Sequence, residues 1–197
     1  MPAAMTEPTP NAARCGPEAR PRVFAALDAL EAPHRTLEHP PIFTVEEGRK
    51  LRIAMEGASS KNLFLVDRNK ALTLIVAHGE RRADLKGLAK ALGAAGRYSF
   101  GKPELLEEAL GVTPGSVCVF ALLNDPDRRV ATVAVDIGLL AARPVWAHPL
   151  DNAASTAIAP EDMIRFIRAQ GREPVLVDIE RPLDPDPDLL ALAATAT

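Results

Sequence analysis

Cysteine is nearly absent from this chain of 197 residues, and the two present, Cys15 and Cys118, have neither metal nor redox spacing. A disulfide-framed secreted domain is therefore excluded, and a reduced, cytosolic protein is the expectation. Long apolar runs are missing as well. Nothing approaches the roughly 18 residues of a membrane span, and the N-terminal stretch has no apolar core of a secretory signal. The sequence contains no H-E-x-x-H, no C-x-x-C, no glycine-rich phosphate loop, no G-x-S-x-G elbow and no internal repeat. The four histidines, His34, His39, His78 and His148, are never three or four residues apart, so no local zinc pattern exists and neither metal nor cofactor is expected. Excess charge is also lacking. The net of −3 argues, as a whole-chain figure, against a nucleic-acid partner.

What remains is ordinary globular material: 47% hydrophobic and 25% charged residues, enough for one domain with a real core. Proline divides the chain. Residues 1–21 hold five of the 18 prolines and residues 182–197 hold three. Both stretches lack sustained periodicity and are expected as flexible tails around a folded unit at 22–181. Within that unit the spacing predicts helices over 22–32, 83–92, 103–110 and from Pro160 to a terminating Gly171. The last of these starts with Ala159 at its N-cap, about 1 kcal/mol weaker than Ser or Asp there. Thr44 and Glu47 form a capping box that opens a helix over 45–54. Residues 57–60 read as a loop. Strands are expected at 35–38, 61–66, 71–77, 117–123, 130–135, 143–147 and 175–179. The turn at 67–70 makes a first hairpin and that at 124–127 a second. Hairpins separated by helices favour an α+β domain with a mixed, mostly antiparallel sheet.

Few residues carry chemistry on spacing alone. Lys61 follows a small-residue loop and opens an apolar strand beside Asn62. Such a lysine holds a phosphate or polarises a carbonyl, or is simply a solvated strand end. Gly115 and Ser116 follow Pro114 in a turn whose backbone N–H groups can face an oxyanion, or which is only a turn. His148, Pro149 and Asn152 precede small residues that suit a pocket wall or tight helix packing. Cys118 sits among Val117, Val119 and Phe120 and reads as a buried, inert thiol.

Taken in order, His39-Pro40-Pro41, Thr44-Val45-Glu46-Glu47, Lys61-Asn62-Leu63-Phe64-Leu65, Asp84-Leu85-Lys86, Gly111-Val112-Thr113-Pro114-Gly115-Ser116-Val117, Phe120-Ala121-Leu122, His148-Pro149-Leu150 with Asn152 and Thr156, and Gly171 with Pro174 form a set. This set resembles the YbaK/ProX family of aminoacyl-tRNA deacylases, related to the editing domain inserted in bacterial prolyl-tRNA synthetases. The likeness covers about 22–180 and is greatest for the free-standing ProX branch, which removes alanine mischarged on proline tRNA. It implies an α+β fold around a partly closed β-barrel. It also implies hydrolysis of the aminoacyl ester by water, without metal or covalent intermediate, assisted by the 2′-hydroxyl of the terminal adenosine. Such an ester is already activated, so positioning and oxyanion stabilisation suffice. By the resemblance, Lys61 and Asn62 with the Gly115 and Ser116 backbone are catalytic. His148, Pro149, Asn152, Thr44, Cys118 and Val119 line the substrate pocket.

Three departures bear on that pocket. Val119 stands where the family has a proline, Asp151 where an apolar residue is usual, and Asn152-Ala153-Ala154-Ser155-Thr156 replaces N-T-A-T-T. They leave two other outcomes open: a deacylase for Cys- or Ser-charged tRNA, and a non-catalytic aminoacyl-tRNA or synthetase-binding module. The expected partner is the acceptor end of mischarged proline tRNA, with prolyl-tRNA synthetase as a candidate second partner. The charge distribution supports this better than the total does. Residues 49–102 carry 12 basic and 4 acidic residues. Arg49, Lys50, Arg52, Arg81, Arg82 and Lys86 are therefore expected to form a basic face beside Lys61.

Overall fold

The computed structural model describes residues 14–41 and 55–194. The Thr44 capping box, the helix expected over 45–54, and Arg49, Lys50 and Arg52 lie outside these residues. The strands are β1 (Arg35–Glu38), β2 (Ala58–Val66), β3 (Leu72–His78), β4 (Ser99–Phe100), β5 (Val130–Asp136), β6 (Val145–Ala147), β7 (Ala154–Ile158) and β8 (Val175–Val177). The α-helices are α1 (Arg20–Ala29), α2 (Leu85–Ala91), α3 (Pro103–Leu110), α4 (Ile137–Leu140), α5 (Pro160–Ala169) and α6 (Pro187–Ala194). One mixed sheet runs in the order β1-β7-β6-β2-β3-β5-β8, with β4 added beside β2. Four pairings are antiparallel and three parallel. The α+β, mostly antiparallel expectation holds. The sheet is not strictly closed, since its end strands β1 and β8 do not pair among the described residues.

The first hairpin forms as read, from Ser60 opposite His78 to Val66 opposite Leu72. Asp67 fixes its turn, accepting the Ala71 N–H at 2.9 Å and the Ala95 N–H at 2.8 Å. β3 lies between β2 and β5 and is buried along almost its whole length, which is why it reads as an unbroken apolar run. α2 is capped by the Asp84 carboxylate, which accepts the N–H groups of Lys86 and Gly87. α5 starts without a side-chain cap, as Ala159 requires, and buries Met163, Ile164, Phe166 and Ile167. Phe166 meets Phe120 edge to face at 5.2 Å in the larger core. A smaller core of Leu65, Ile75, Ala77, Leu88 and Ile179 belongs to the α2 side.

Several local readings are corrected. Residues 117–123 are not a strand. Val119–Asn124 winds as a 3-10 helix with five of its six side chains buried, and a short apolar run cannot be told from a buried helical segment by periodicity. The second hairpin therefore does not exist, and β5 pairs in parallel with β3 and β8. The loop expected at 57–60 ends at Gly57, because Ala58 and Ser59 pair with Val145 and Trp146. The small-residue run at 153–156 belongs largely to β7, which is held between β1 and β6. The stretch expected as a C-terminal tail carries α6. Its entry is tied by the Asp186 N–H to Asp178 at 3.1 Å, and the Asp186 carboxylate accepts the Asp188 N–H at 2.9 Å.

Candidate active site at the open edge of β2

β2 changes neighbours along its length. Ala58 and Ser59 pair with β6 on one side, and β4 joins that strand only at Leu65 and Val66. Between them, residues 60–63 have β3 on one edge and no strand on the other among the described residues. Lys61 and Asn62 sit in this gap. The Ser60 hydroxyl donates across it to the Trp146 carbonyl at 3.0 Å. Lys61 pairs with Ala77 on β3, next to the pair of Ser60 with His78.

The Lys61 ammonium donates to the carbonyl oxygens of Gly79, at 3.3 Å, and Arg81. Asn62 does not stand beside it. Strand side chains alternate, and Leu63 and Leu65, on the Lys61 face, pack with the smaller core, whereas Ala58, Phe64 and Val66, on the Asn62 face, pack with the larger one. Asn62 Oδ1 is buried on that second face without a hydrogen-bond partner among the described residues. Adjacency in sequence therefore separates these two candidates by the thickness of the sheet.

His148, which follows β6, has its Nδ1 2.9 Å from the Ala154 carbonyl. A carbonyl only accepts, so Nδ1 carries the proton and Nε2 keeps its lone pair. Burial lowers the His148 pKa, with the neighbouring His39 adding to it and the Ala154 carbonyl and Asp151 opposing; the net is downward and favours neutral imidazole. His39, which the sequence reading gave no role of its own, meets His148 edge to face at 6.0 Å. Its Nδ1 lies 2.9 Å from the Pro40 carbonyl and its Nε2 2.9 Å from Ser155 Oγ. The same argument makes Nε2 the acceptor of the Ser155 hydroxyl. This pair has the elements of a nucleophile and a base, but Ser155 is 6% exposed, which suits it to holding His39 in place. The repeated dipeptide, His39-Pro40 and His148-Pro149, was the available signal. His78, at the end of β3, accepts the Glu80 N–H on Nδ1 at 3.2 Å, and burial lowers its pKa too.

The remaining candidates are distributed differently. Gly115 is exposed at φ 93°, a conformation that favours glycine. Ser116 is buried and its N–H donates to the Thr113 carbonyl at 3.0 Å, so that amide is engaged within the turn. Cys118 and Val119 have no exposed surface, and burial pushes the Cys118 thiol up to about 12, the inert thiol expected. Pro149 is buried and Asn152 half-buried. Asp151, which stands where the family has an apolar residue, is engaged by Arg20 through Nε at 2.7 Å, and Arg20 also reaches Glu38 at 2.8 Å. Arg82 and Lys86 are exposed, as are Lys90, Arg68, Lys70, Arg97 and Lys102. Arg81 departs from the expected basic face: its guanidinium is turned onto Asp136, Asp178 and Glu180. Thr44 lies outside the described residues. Among those residues no three His, Cys, Asp or Glu side chains converge as a metal site, and no helix is long and apolar enough to cross a membrane.

The architecture is one that other solved proteins share. A structure of a proposed trans-editing enzyme for prolyl tRNA synthetase superposes with a TM-score of 0.63, covering 88% of this chain and 98% of that one at 22% identity. At that identity the likeness defines the class of fold. Sequence carries it further. Residues 39–166 match the model of the aminoacyl-tRNA editing domain. The chain is 34% identical over 155 residues to the prolyl-tRNA editing protein ProX of Acetoanaerobium sticklandii, covering 78% of this chain and 93% of that protein. It is 34% identical over 170 residues to the prolyl-tRNA synthetase associated domain-containing protein 1 of Bos taurus, covering 84% and 98%. The chain belongs to the aminoacyl-tRNA editing domain family, as the ordered motifs implied.

Proposed function

We propose that this protein is a trans-editing aminoacyl-tRNA deacylase that hydrolyses the ester on mischarged proline tRNA, with alanine as the favoured amino acid. The observation that carries the reading is the Lys61 ammonium held by the Gly79 and Arg81 carbonyls of the turn that follows β3. A cation fixed there binds the terminal phosphate or stabilises the oxyanion that forms as water adds to the ester carbonyl. The C–O bond then breaks, the ribose oxygen leaves with a proton, and free amino acid and tRNA result. The His148 Nε2 lone pair accepts a hydrogen bond from the substrate. The exposed cations of α2 and its approach, Arg82, Lys86 and Lys90, suit a phosphate backbone. Prolyl-tRNA synthetase is the candidate second partner.

Burial of Val119, together with its neighbour Cys118, supports the enzyme over a binding module, because that departure does not alter an exposed wall. The test is deacylation of proline tRNA charged with Ala, Cys or Ser. Alanine release is expected to be fastest, and Lys61→Ala to slow it about 100-fold, the scale for losing one preorganised electrostatic contact. Full activity in Lys61→Ala overturns the site. Binding of all three charged tRNAs without amino-acid release overturns the enzyme.

A further inference from the structure

We infer that Arg81 is a positioning residue for Lys61: its ion pairs to Asp136, Asp178 and Glu180 fix the turn whose carbonyl oxygens hold the Lys61 ammonium. This rests on the reading of Lys61 given above.

The turn leaves the end of β3 and is tied down at both ends. The Gly79 N–H donates to the Ser59 carbonyl of β2 at 2.7 Å, and the Arg81 N–H to the His78 carbonyl at 3.3 Å. The Arg81 guanidinium then gathers one carboxylate from the end of β5 and two from the segment after β8. It pairs with Asp136, with Asp178 at 2.6 Å and with Glu180 at 3.2 Å. Each carboxylate is itself oriented by backbone amides. Asp136 accepts the His78 and Gly138 N–H groups, both at 3.1 Å. Asp178 accepts those of Glu180 at 3.0 Å and Arg181 at 3.2 Å, and Glu180 accepts that of Arg82 at 3.0 Å. A planar fork held on three such acceptors has little freedom.

Two details separate this arrangement from a plain structural ion pair. The Arg81 residue that makes the ion pairs also supplies, through its own carbonyl, one of the two acceptors for Lys61 Nζ. Fixing the side chain therefore fixes the acceptor. Second, the guanidinium occupies the space where residue 138 would carry a Cβ. A side chain built at Gly138 runs into Arg81, so the first turn of α4 is shaped to the clamp. Three carboxylates against one guanidinium leave the cluster negative, which also favours a second cation, the Lys61 ammonium, at its edge.

The test is a double-mutant cycle read by single-turnover deacylation of Ala-charged proline tRNA, using Arg81→Lys, Lys61→Ala and their combination. Arg81→Lys is expected to lower the chemical rate about tenfold, the factor for one charge-assisted hydrogen bond, with little change in KM. In the Lys61→Ala background the same substitution is expected to change nothing. Gly138→Ala, which keeps every charge but displaces the guanidinium, is expected to behave alike and serves if Arg81→Lys does not fold. A loss of equal size in both backgrounds, or no loss in either variant, overturns the inference. Full activity of Lys61→Ala alone overturns the functional reading instead, so the two failures are distinct.

Discussion

Arg81 and Arg172 are both drawn into the protein, and they are held in different ways. Arg172 meets one carboxylate, Asp125, at 2.5 Å. Its other hydrogens go to backbone carbonyls of Asp125 at 2.9 Å, Gln170 at 2.8 Å and Val130 at 3.4 Å. Asp125 in turn accepts the N–H groups of Arg129 at 2.8 Å and Val130 at 2.9 Å. This staple joins the end of the 3-10 helix, the start of β5 and the end of α5, and none of its contacts is a candidate site residue. Arg81 meets three carboxylates, and its own carbonyl accepts from Lys61. An arginine's burial says only that its charge is paired. What its backbone touches decides whether the pairing serves the fold alone or also the site.

The comparison breaks most readily at the staple. Arg172→Met leaves Asp125 buried without its cation and is expected to cost about 3 kcal/mol, read by urea unfolding. The deacylation rate per folded molecule is expected to stay unchanged. A fall in that rate, with stability intact, would make Arg172 part of the site and erase the distinction.

Acidification sharpens the comparison with a smaller effect. Burial sets the His78 and His148 pKa values below the ordinary histidine value. The unfolded chain therefore takes up protons first as pH falls. The stability these residues contribute is complete above roughly pH 6.5 and declines below it. His78 borders the Arg81 turn, and among the described residues the hydrogen bonds of the Arg172 staple include no histidine. Between pH 7.5 and 5, hydrogen exchange at the Glu80 amide, which His78 Nδ1 accepts, is expected to gain protection loss relative to the Val130 amide, which Asp125 accepts. A His78→Gln protein should show no such difference, and equal behaviour of the two amides in the unaltered chain would count against a pH-sensitive turn.

The smallest effect belongs to an exposed pair. Arg143 and Glu161 are joined by two hydrogen bonds at the surface. Side-chain entropy and solvent screening offset such pairs, so Arg143→Gln is expected to leave both the melting temperature and the deacylation rate unchanged. A clear drop in melting temperature would show that pair geometry, rather than burial, separates these arginines.

Much of the fold was legible because it rests on local rules. Two apolar runs around the turn at 67–70 placed the first hairpin, and Pro103 and Pro160 placed two helix starts. The ordered motifs carried the family. Other parts were illegible for stated reasons. The apolar run at Val119–Asn124 has no periodicity that separates a 3-10 helix from a strand. β7 was hidden because a run of small residues, which suits a pocket wall or helix packing, carries no strand pattern until two strands enclose it. His39 and Ser155 meet across 116 residues, a distance that no spacing rule spans.

By itself, then, the sequence determined the candidate site residues, the type of the first hairpin and most helices, and the family to which the whole belongs. Those follow from local sterics, burial patterns and motif order. Only the tertiary structure decided that Lys61 and Asn62 leave opposite faces of one strand, that the turn after β3 holds the Lys61 ammonium, and that Arg81 turns inward rather than toward a phosphate backbone. Each of these depends on which strands lie side by side and which carboxylates their ends bring together. Pairings between strands distant in sequence set that, and no local signal encodes it.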